Sequence, residues 1–120
     1  FKGSNHPEYL NSISEAQKNQ IEIMNSMYSL LKENNIKMSL VVYPWPQQLL
    51  NDNVNSNQVK MWEEFCASKC ENFINFFPFF FKEMDKYSFL EIYKKYYFWN
   101  DVHFNAEGNR TIAKKLLKEF

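Results

Sequence analysis

The run Met38-Ser39-Leu40-Val41-Val42-Tyr43-Pro44-Trp45-Pro46 decides the class of the fold. Its first six residues are partly β-branched and nearly all apolar, as in a strand covered on both faces. Pro44 and Pro46 forbid continued ladder pairing, so the strand ends at Tyr43. Upstream, Ala16, Ile23, Met24, Met27, Leu30 and Leu31 recur at helical spacing. Ser12-Ile13-Ser14-Glu15 matches a capping box, and Asn34-Asn35 tolerates the left-handed conformation common past a helix end. Together these predict a helix over residues 13–33. Downstream, residues 47–57 are Asn-rich and read as loop. Ser56 or Asn57 can cap a second helix, 58–70, with Val59, Trp62, Phe65 and Cys66 inward. Phe73-Ile74-Asn75-Phe76 reads as a second strand. An aromatic segment, 77–98, carries only a weak helical pattern around 82–95. A loop, Trp99 to Phe104, then precedes a last helix, 106–119, capped by Asn105, with Ile112, Ala113, Leu116, Leu117 and Phe120 inward.

Helix, strand, helix, strand, helix is the order of an α/β fold with right-handed crossovers and a parallel sheet. Two strands alone make a poor sheet, since both have unpaired edges. The expectation is therefore a partial three-layer α/β/α, flavodoxin-like arrangement whose N-terminal strands are missing from this chain. Residues 1–120 then form the C-terminal portion of a single domain. An incomplete sheet also offers its edge for self-association with another copy.

Composition narrows the partners. Lys+Arg and Asp+Glu balance at 14 each, which argues against nucleic acid, whose binding needs a basic excess on one face. It equally provides no polybasic stretch for an anionic membrane. No window reaches the roughly 18 apolar residues of a membrane helix, so no membrane insertion by this segment is expected. The 12 Phe, 7 Tyr and 3 Trp are too many for a disordered chain. They imply an aromatic core, or a core that continues into other polypeptide, with Phe76 to Phe81 as the centre of either. Cys66 and Cys70 stand four apart, on one face of a helix. They read first as two semi-buried thiols, second as a disulfide. A metal site lacks companion ligands, and no cofactor is called for.

The chemistry concentrates in Asp101-Val102-His103-Phe104-Asn105-Ala106-Glu107-Gly108-Asn109. A carboxylate and an imidazole two residues apart sit in a loop before a helix. In open parallel sheets such loops, at the C-terminal strand ends, hold the active site. A carboxylate beside a histidine fixes the imidazole tautomer and stabilises the imidazolium during proton transfer. Asn105 can cap the following helix and so fix where His103 points. Gly108 lets the first helical turn approach a neighbour closely.

This block resembles the last conserved block of the SGNH/GDSL hydrolase superfamily, an Asp and a His before an Asn-x-x-Gly helix start. Val41-Val42-Tyr43-Pro44-Trp45-Pro46 is similar to that family's penultimate central strand and its proline-containing loop. The resemblance covers about residues 13–120. It implies an acyl-ester hydrolase or O-acyltransferase acting on carbohydrate O-acetyl esters, with His103 as general base and Asp101 as its orienting acid. The commonest form of the motif places the acid three positions before the His, where this chain has Asn100. Branches near surface-polysaccharide acetylation use the shorter spacing. No Gly-Asp-Ser nucleophile block is present, so the resemblance implies a serine from an N-terminal half. Gly3-Ser4-Asn5-His6 faintly echoes a Gly-x-Asn-Asp block, which would make Asn5 an oxyanion donor. No signal peptide is visible at the start of these residues, which says little about where the protein resides. Only the resemblance points to an extracytoplasmic or membrane-associated setting, through preceding polypeptide.

Beside these stand plainer readings. A lone Asp-x-His is often structural, but the Asn-x-x-Gly that follows it favours function. His6 reads as a solvated surface residue. Trp45 and Asn100 are the candidate substrate contacts, with Trp45 either a platform for a sugar ring or a loop aromatic folded onto the core. Lys114, Lys115, Lys118 and Glu119 read as a solvated face. Two further classes remain in view. One is a non-catalytic carbohydrate- or partner-binding module in which Trp45 and Trp99 matter more than His103. The other is a structural piece of a flavodoxin-like domain.

Overall fold

A computed structural model describes residues 7–120. The chain is mixed helix and strand, with a two-stranded parallel sheet. In order it forms α1 (Pro7–Glu33), β1 (Ser39–Val42), α2 (Pro46–Asn51), α3 (Asn57–Cys66), β2 (Asn72–Asn75), α4 (Phe77–Met84), α5 (Phe89–Tyr96) and α6 (Ala106–Leu116). No helix among the described residues is long and apolar enough to cross a membrane. Contacts group the chain into two compact units, one of residues up to Leu40 with Glu63–Phe73, the other of Val41–Trp62 with Ile74–Phe120.

In the first unit α1 is already helical at Pro7, ahead of the box expected around Ser12. Its end follows expectation. Asn35 takes a left-handed φ of 56°, the Ile36 N–H bonds the Leu31 carbonyl at 2.9 Å, and the Asn35 N–H bonds that of Lys32 at 3.1 Å. This is a Schellman closure, which satisfies carbonyls a helix end would orphan. The expected inward line is only partly right. Met24 and Leu31 are half-buried, but Ile23 is 69% exposed, and Ala16, Met27 and Leu30 are exposed as well. The covered line runs instead through Ile21, Met24, Tyr28 and Leu31. Both lines have helical spacing, so periodicity alone does not choose between them.

Cys66 and Cys70 form a disulfide with Cα atoms 4.7 Å apart, which corrects the first reading of two thiols. The physical reason is that α3 ends at Cys66. Cys70 lies beyond a turn closed by Lys69 and Cys70 N–H bonds to the Cys66 carbonyl, not on the same helix. The Cys directions are then free of helical geometry, the obstacle to a bridge at this spacing. Beside it, Lys37 and Glu71 pair at 2.5 Å on the surface, which contributes little to stability.

The second unit holds the aromatic core. Residues 47–51, expected as loop, belong to α2, with Pro46 in its first turn and the Gln48 side chain accepting the Trp45 N–H at 2.9 Å. Buried Ser56 precedes α3 as expected: its hydroxyl accepts the Gln58 N–H at 3.2 Å and donates to Asp52 at 2.6 Å. Val59 and Phe65 of α3 are buried, as their spacing predicts. Pro78 stands inside the Phe run. It sits in the first turn of α4, whose Phe77 N–H is taken by the Asn75 side chain at 3.0 Å. Ser88 and Glu91 make the capping box that starts α5. The weakly patterned segment is therefore two short helices.

Phe80, fully buried, touches the rings of Tyr96 at 5.5 Å, Tyr97 at 5.9 Å and Phe104 at 5.7 Å. Leu49, Ile74, Phe76 and Ile92 complete this cluster, and Ile112 and Leu116 of α6 pack against it. Leu117 and Phe120, expected inward, are exposed because α6 stops at Leu116. Ala113, also expected inward, is exposed.

Gly108 sits in the first turn of α6, and a Cβ there would lie 2.1 Å from the Tyr96 carbonyl and 2.9 Å from the Phe104 ring. At an open helical site Gly→Ala stabilises by roughly 0.5–1 kcal/mol. Gly108→Ala is instead expected to destabilise the chain by about 2 kcal/mol or more through overpacking, read as a lower denaturant midpoint. A raised midpoint would show that α6 does not approach Tyr96 this closely.

Candidate functional site

The loop between α5 and α6 is pinned at both ends. Tyr97 and Phe104 form an antiparallel bridge, the Phe98 N–H bonds the His103 carbonyl at 3.0 Å, and the Asn105 N–H bonds that of Tyr96 at 2.9 Å. Asn105 caps α6 as expected, with its Oδ1 accepting the Gly108 N–H at 2.9 Å. Its Nδ2 faces the other way and donates to the carbonyls of Lys94, Lys95 and Tyr97 at 3.1–3.2 Å. One side chain thus serves the orphan groups of two helix ends.

Within this frame the expected pair comes together. Asp101 Oδ1 lies 2.7 Å from His103 Nδ1. The same oxygen accepts the N–H groups of Val102 at 2.6 Å and His103 at 3.2 Å, the second being an Asx turn. Asn100 takes a left-handed φ of 58°, a conformation Asn adopts at low cost, and so turns the chain into Asp101. The hydrogen bond from the His103 ring, followed by the two backbone N–H groups, holds the Asp101 carboxyl below the usual carboxylate range. An ionised carboxylate only accepts, so this contact favours a proton on Nδ1 of the His103 ring and leaves Nε2 as the nitrogen outside it. The His103 side chain is 78% exposed, and Asp101 is its hydrogen-bond partner among the described residues.

The loop lies against the carboxyl end of β1. Tyr43, one residue past that strand, packs on Phe104, one residue past His103, with ring centroids 4.6 Å apart. Tyr97 donates its hydroxyl to the Pro44 carbonyl at 2.7 Å. Burial, with the nearby Tyr43 phenol adding, pushes the Tyr97 phenol well above its ordinary range, so it stays a neutral donor. Beside the pair opens a hollow of about 470 Å³ lined by Gln47, Tyr93, Asn100, Asp101 and Val102. Asn100, expected as a substrate contact, is one of the residues that line this hollow. Trp45, the other, is 53% exposed at the start of α2 and does not line this hollow. Asn5 and His6 lie outside the described residues.

Sequence reasoning missed two side chains here, Gln47 and Tyr93, while Trp99 was already a candidate for the binding-module reading. Gln47 was hidden because α2 read as loop. Tyr93 holds the Asp101 backbone from eight positions upstream, a spacing with no sequence signature. Trp99 is 60% exposed, stacks on Tyr93 at 5.3 Å and has the Lys94 ammonium 5.9 Å from its ring centre. Among the described residues no group of three or more His, Cys, Asp or Glu is placed to hold a metal ion. No known protein family matches the chain, and no curated protein or solved structure is detectably similar to it.

Two outcomes follow. At a simple N-cap Asn and Asp are about equal. Asn105→Asp keeps the cap on Gly108 but turns a donor into an anion facing three carbonyls. It should lower unfolding free energy by at least about 1 kcal/mol, and an unchanged denaturant midpoint would show that Nδ2 makes no such bonds. Carboxyl NMR titration should find Asp101 ionising below the usual aspartate value of about 3.9, and nearer to it in His103→Ala. Because the folded value is the lower one, the stabilising contribution of Asp101 is complete above the ordinary value. It is lost as pH falls through the depressed one. An Asp101 midpoint at or above the ordinary value would contradict the pairing.

Proposed function

We propose that this chain supplies the acid–base half of an acyl-ester hydrolase or O-acyltransferase of the SGNH type, acting on carbohydrate O-acetyl esters. His103 is the general base and Asp101 its orienting carboxylate. The observation that carries the reading is the 2.7 Å contact between Asp101 Oδ1 and His103 Nδ1 with the imidazole otherwise open to solvent. A buried ring would point to a structural histidine. An exposed ring with one nitrogen fixed leaves the other nitrogen free to take a proton. The Tyr43–Phe104 contact supports the reading further, because it sets the loop at the carboxyl end of β1, where open parallel sheets carry their sites.

In this proposal β1 and β2 belong to a three-layer flavodoxin-like fold whose other strands come from a different stretch of polypeptide. That stretch brings a serine to Nε2. The imidazole takes the hydroxyl proton as the oxygen attacks the acyl carbon, and returns it to the leaving alcohol. Water or a sugar hydroxyl then accepts the acyl group. Donors for the tetrahedral oxyanion come from the same stretch as the serine.

A second reading rests on Trp99. Its exposed ring, backed by Tyr93, suits stacking of a sugar in a binding module that performs no chemistry. One experiment separates the two. In a protein joining residues 1–120 to the serine-bearing segment, His103→Ala should reduce p-nitrophenyl acetate turnover by about a thousandfold or more. Unchanged turnover would remove the enzymatic reading. Glycan binding that survives His103→Ala, is lost in Trp99→Ala and comes without fluorophosphonate labelling would establish the binding module instead.

A further inference from the structure

We infer that Tyr93 is a positioning residue for the Asp101–His103 pair, its hydroxyl clamping the Asp101 backbone from both sides; this rests on the acid–base reading above. The Tyr93 hydroxyl accepts the Asp101 N–H at 3.1 Å and donates to the Asp101 carbonyl at 3.2 Å. A phenol has one donor and lone-pair acceptors, so a single oxygen can make both bonds. The same N–H also reaches the Phe98 carbonyl at 3.1 Å, which closes the turn that Asn100 makes.

The clamp matters because the rest of the segment has little else to hold it. Phe98, Trp99, Asn100 and Asp101 are all exposed, and Asp101 Oδ1 is spent on its neighbours and the imidazole. An exposed loop samples alternative backbone conformations unless something rigid restrains it. Tyr93 is that restraint. Its ring is fixed on α5 by Phe89 at 5.6 Å, Tyr97 at 6.0 Å and Trp99 at 5.3 Å. The hydroxyl therefore projects from an ordered aromatic stack onto the two peptide groups that flank the Asp101 Cα and set where the carboxylate points. The tautomer and direction of the His103 ring follow from that carboxylate.

Tyr93→Phe isolates the claim, because it removes the hydroxyl and keeps the ring that packs. Imidazole 15N NMR on the 120-residue chain, at a pH where His103 is neutral, reads the ratio of Nδ1–H to Nε2–H tautomers. In the unaltered chain Nδ1–H should dominate. In Tyr93→Phe the ratio should fall about threefold or more, with the amide spectrum of the α5–α6 core retained. Asp101→Asn sets the scale for full loss of the carboxylate. If the unaltered chain already shows a mixture like free histidine, the acid–base reading itself fails. If Nδ1–H dominates there and is unmoved in Tyr93→Phe, only the clamp is overturned. Should Tyr93→Phe not fold, the unaltered chain still decides: a slowly exchanging Tyr93 hydroxyl close to the Asp101 amide supports the clamp, and its absence refutes it.

Discussion

The Asn105 side chain is the constraint on which the site depends. A helix leaves donors unpaired at its start and acceptors unpaired at its end. Here the end of α5 and the start of α6 present both kinds to one amide, which satisfies them together through Oδ1 and Nδ2. Glycine at 108 is what lets the two helix ends come that near, since any Cβ would strike the Tyr96 carbonyl. With the ends stapled and Tyr97 bridged to Phe104, the intervening residues form a short loop held at both ends. The Asp101–His103 contact forms inside that frame.

The aromatic excess has a related purpose. Phe80 gathers Tyr96, Tyr97 and Phe104 around it, so the residues on either side of the loop are anchored in one cluster. Rings bury large areas and add a modest preference for particular orientations, which makes such a cluster stiff as well as stable. Tyr97 carries the rigidity outward, because its buried neutral hydroxyl holds the Pro44 carbonyl just past β1. The strand end, the loop and the start of α6 are thereby fixed relative to one another inside one compact unit.

Much of this could be read from residue types. The Asp-x-His-x-Asn-x-x-Gly block placed the pair, the cap and the close approach at Gly108, because each has a local chemical reason. Both strands were legible from apolar runs, to within a residue or so at either end. The failures share a cause: they concern choices that local pattern leaves open. The apolar residues of α1 form two lines at helical spacing, and only tertiary contact selects one. Residues 46–51 lack apolar periodicity, yet Pro46 and Gln48 start a helix there through local hydrogen bonding. Pro78 opens α4 within the weakly patterned segment, because proline is favoured in a first helical turn. The Ser88–Glu91 box starts α5 inside a segment whose apolar pattern is weak. Tyr93 depends on a contact across the loop that no spacing rule encodes.

If His103 is the base of an acyl-transfer site, its free nitrogen must face a nucleophilic hydroxyl in the assembled protein. A crystal structure of that assembly after reaction with a fluorophosphonate shows the nucleophile directly. The account predicts a phosphonylated serine whose Oγ lies within roughly 3.5 Å of His103 Nε2, with Nδ1 still on Asp101. Phosphonylation at a serine served by another base, with His103 turned to open solvent, would contradict it.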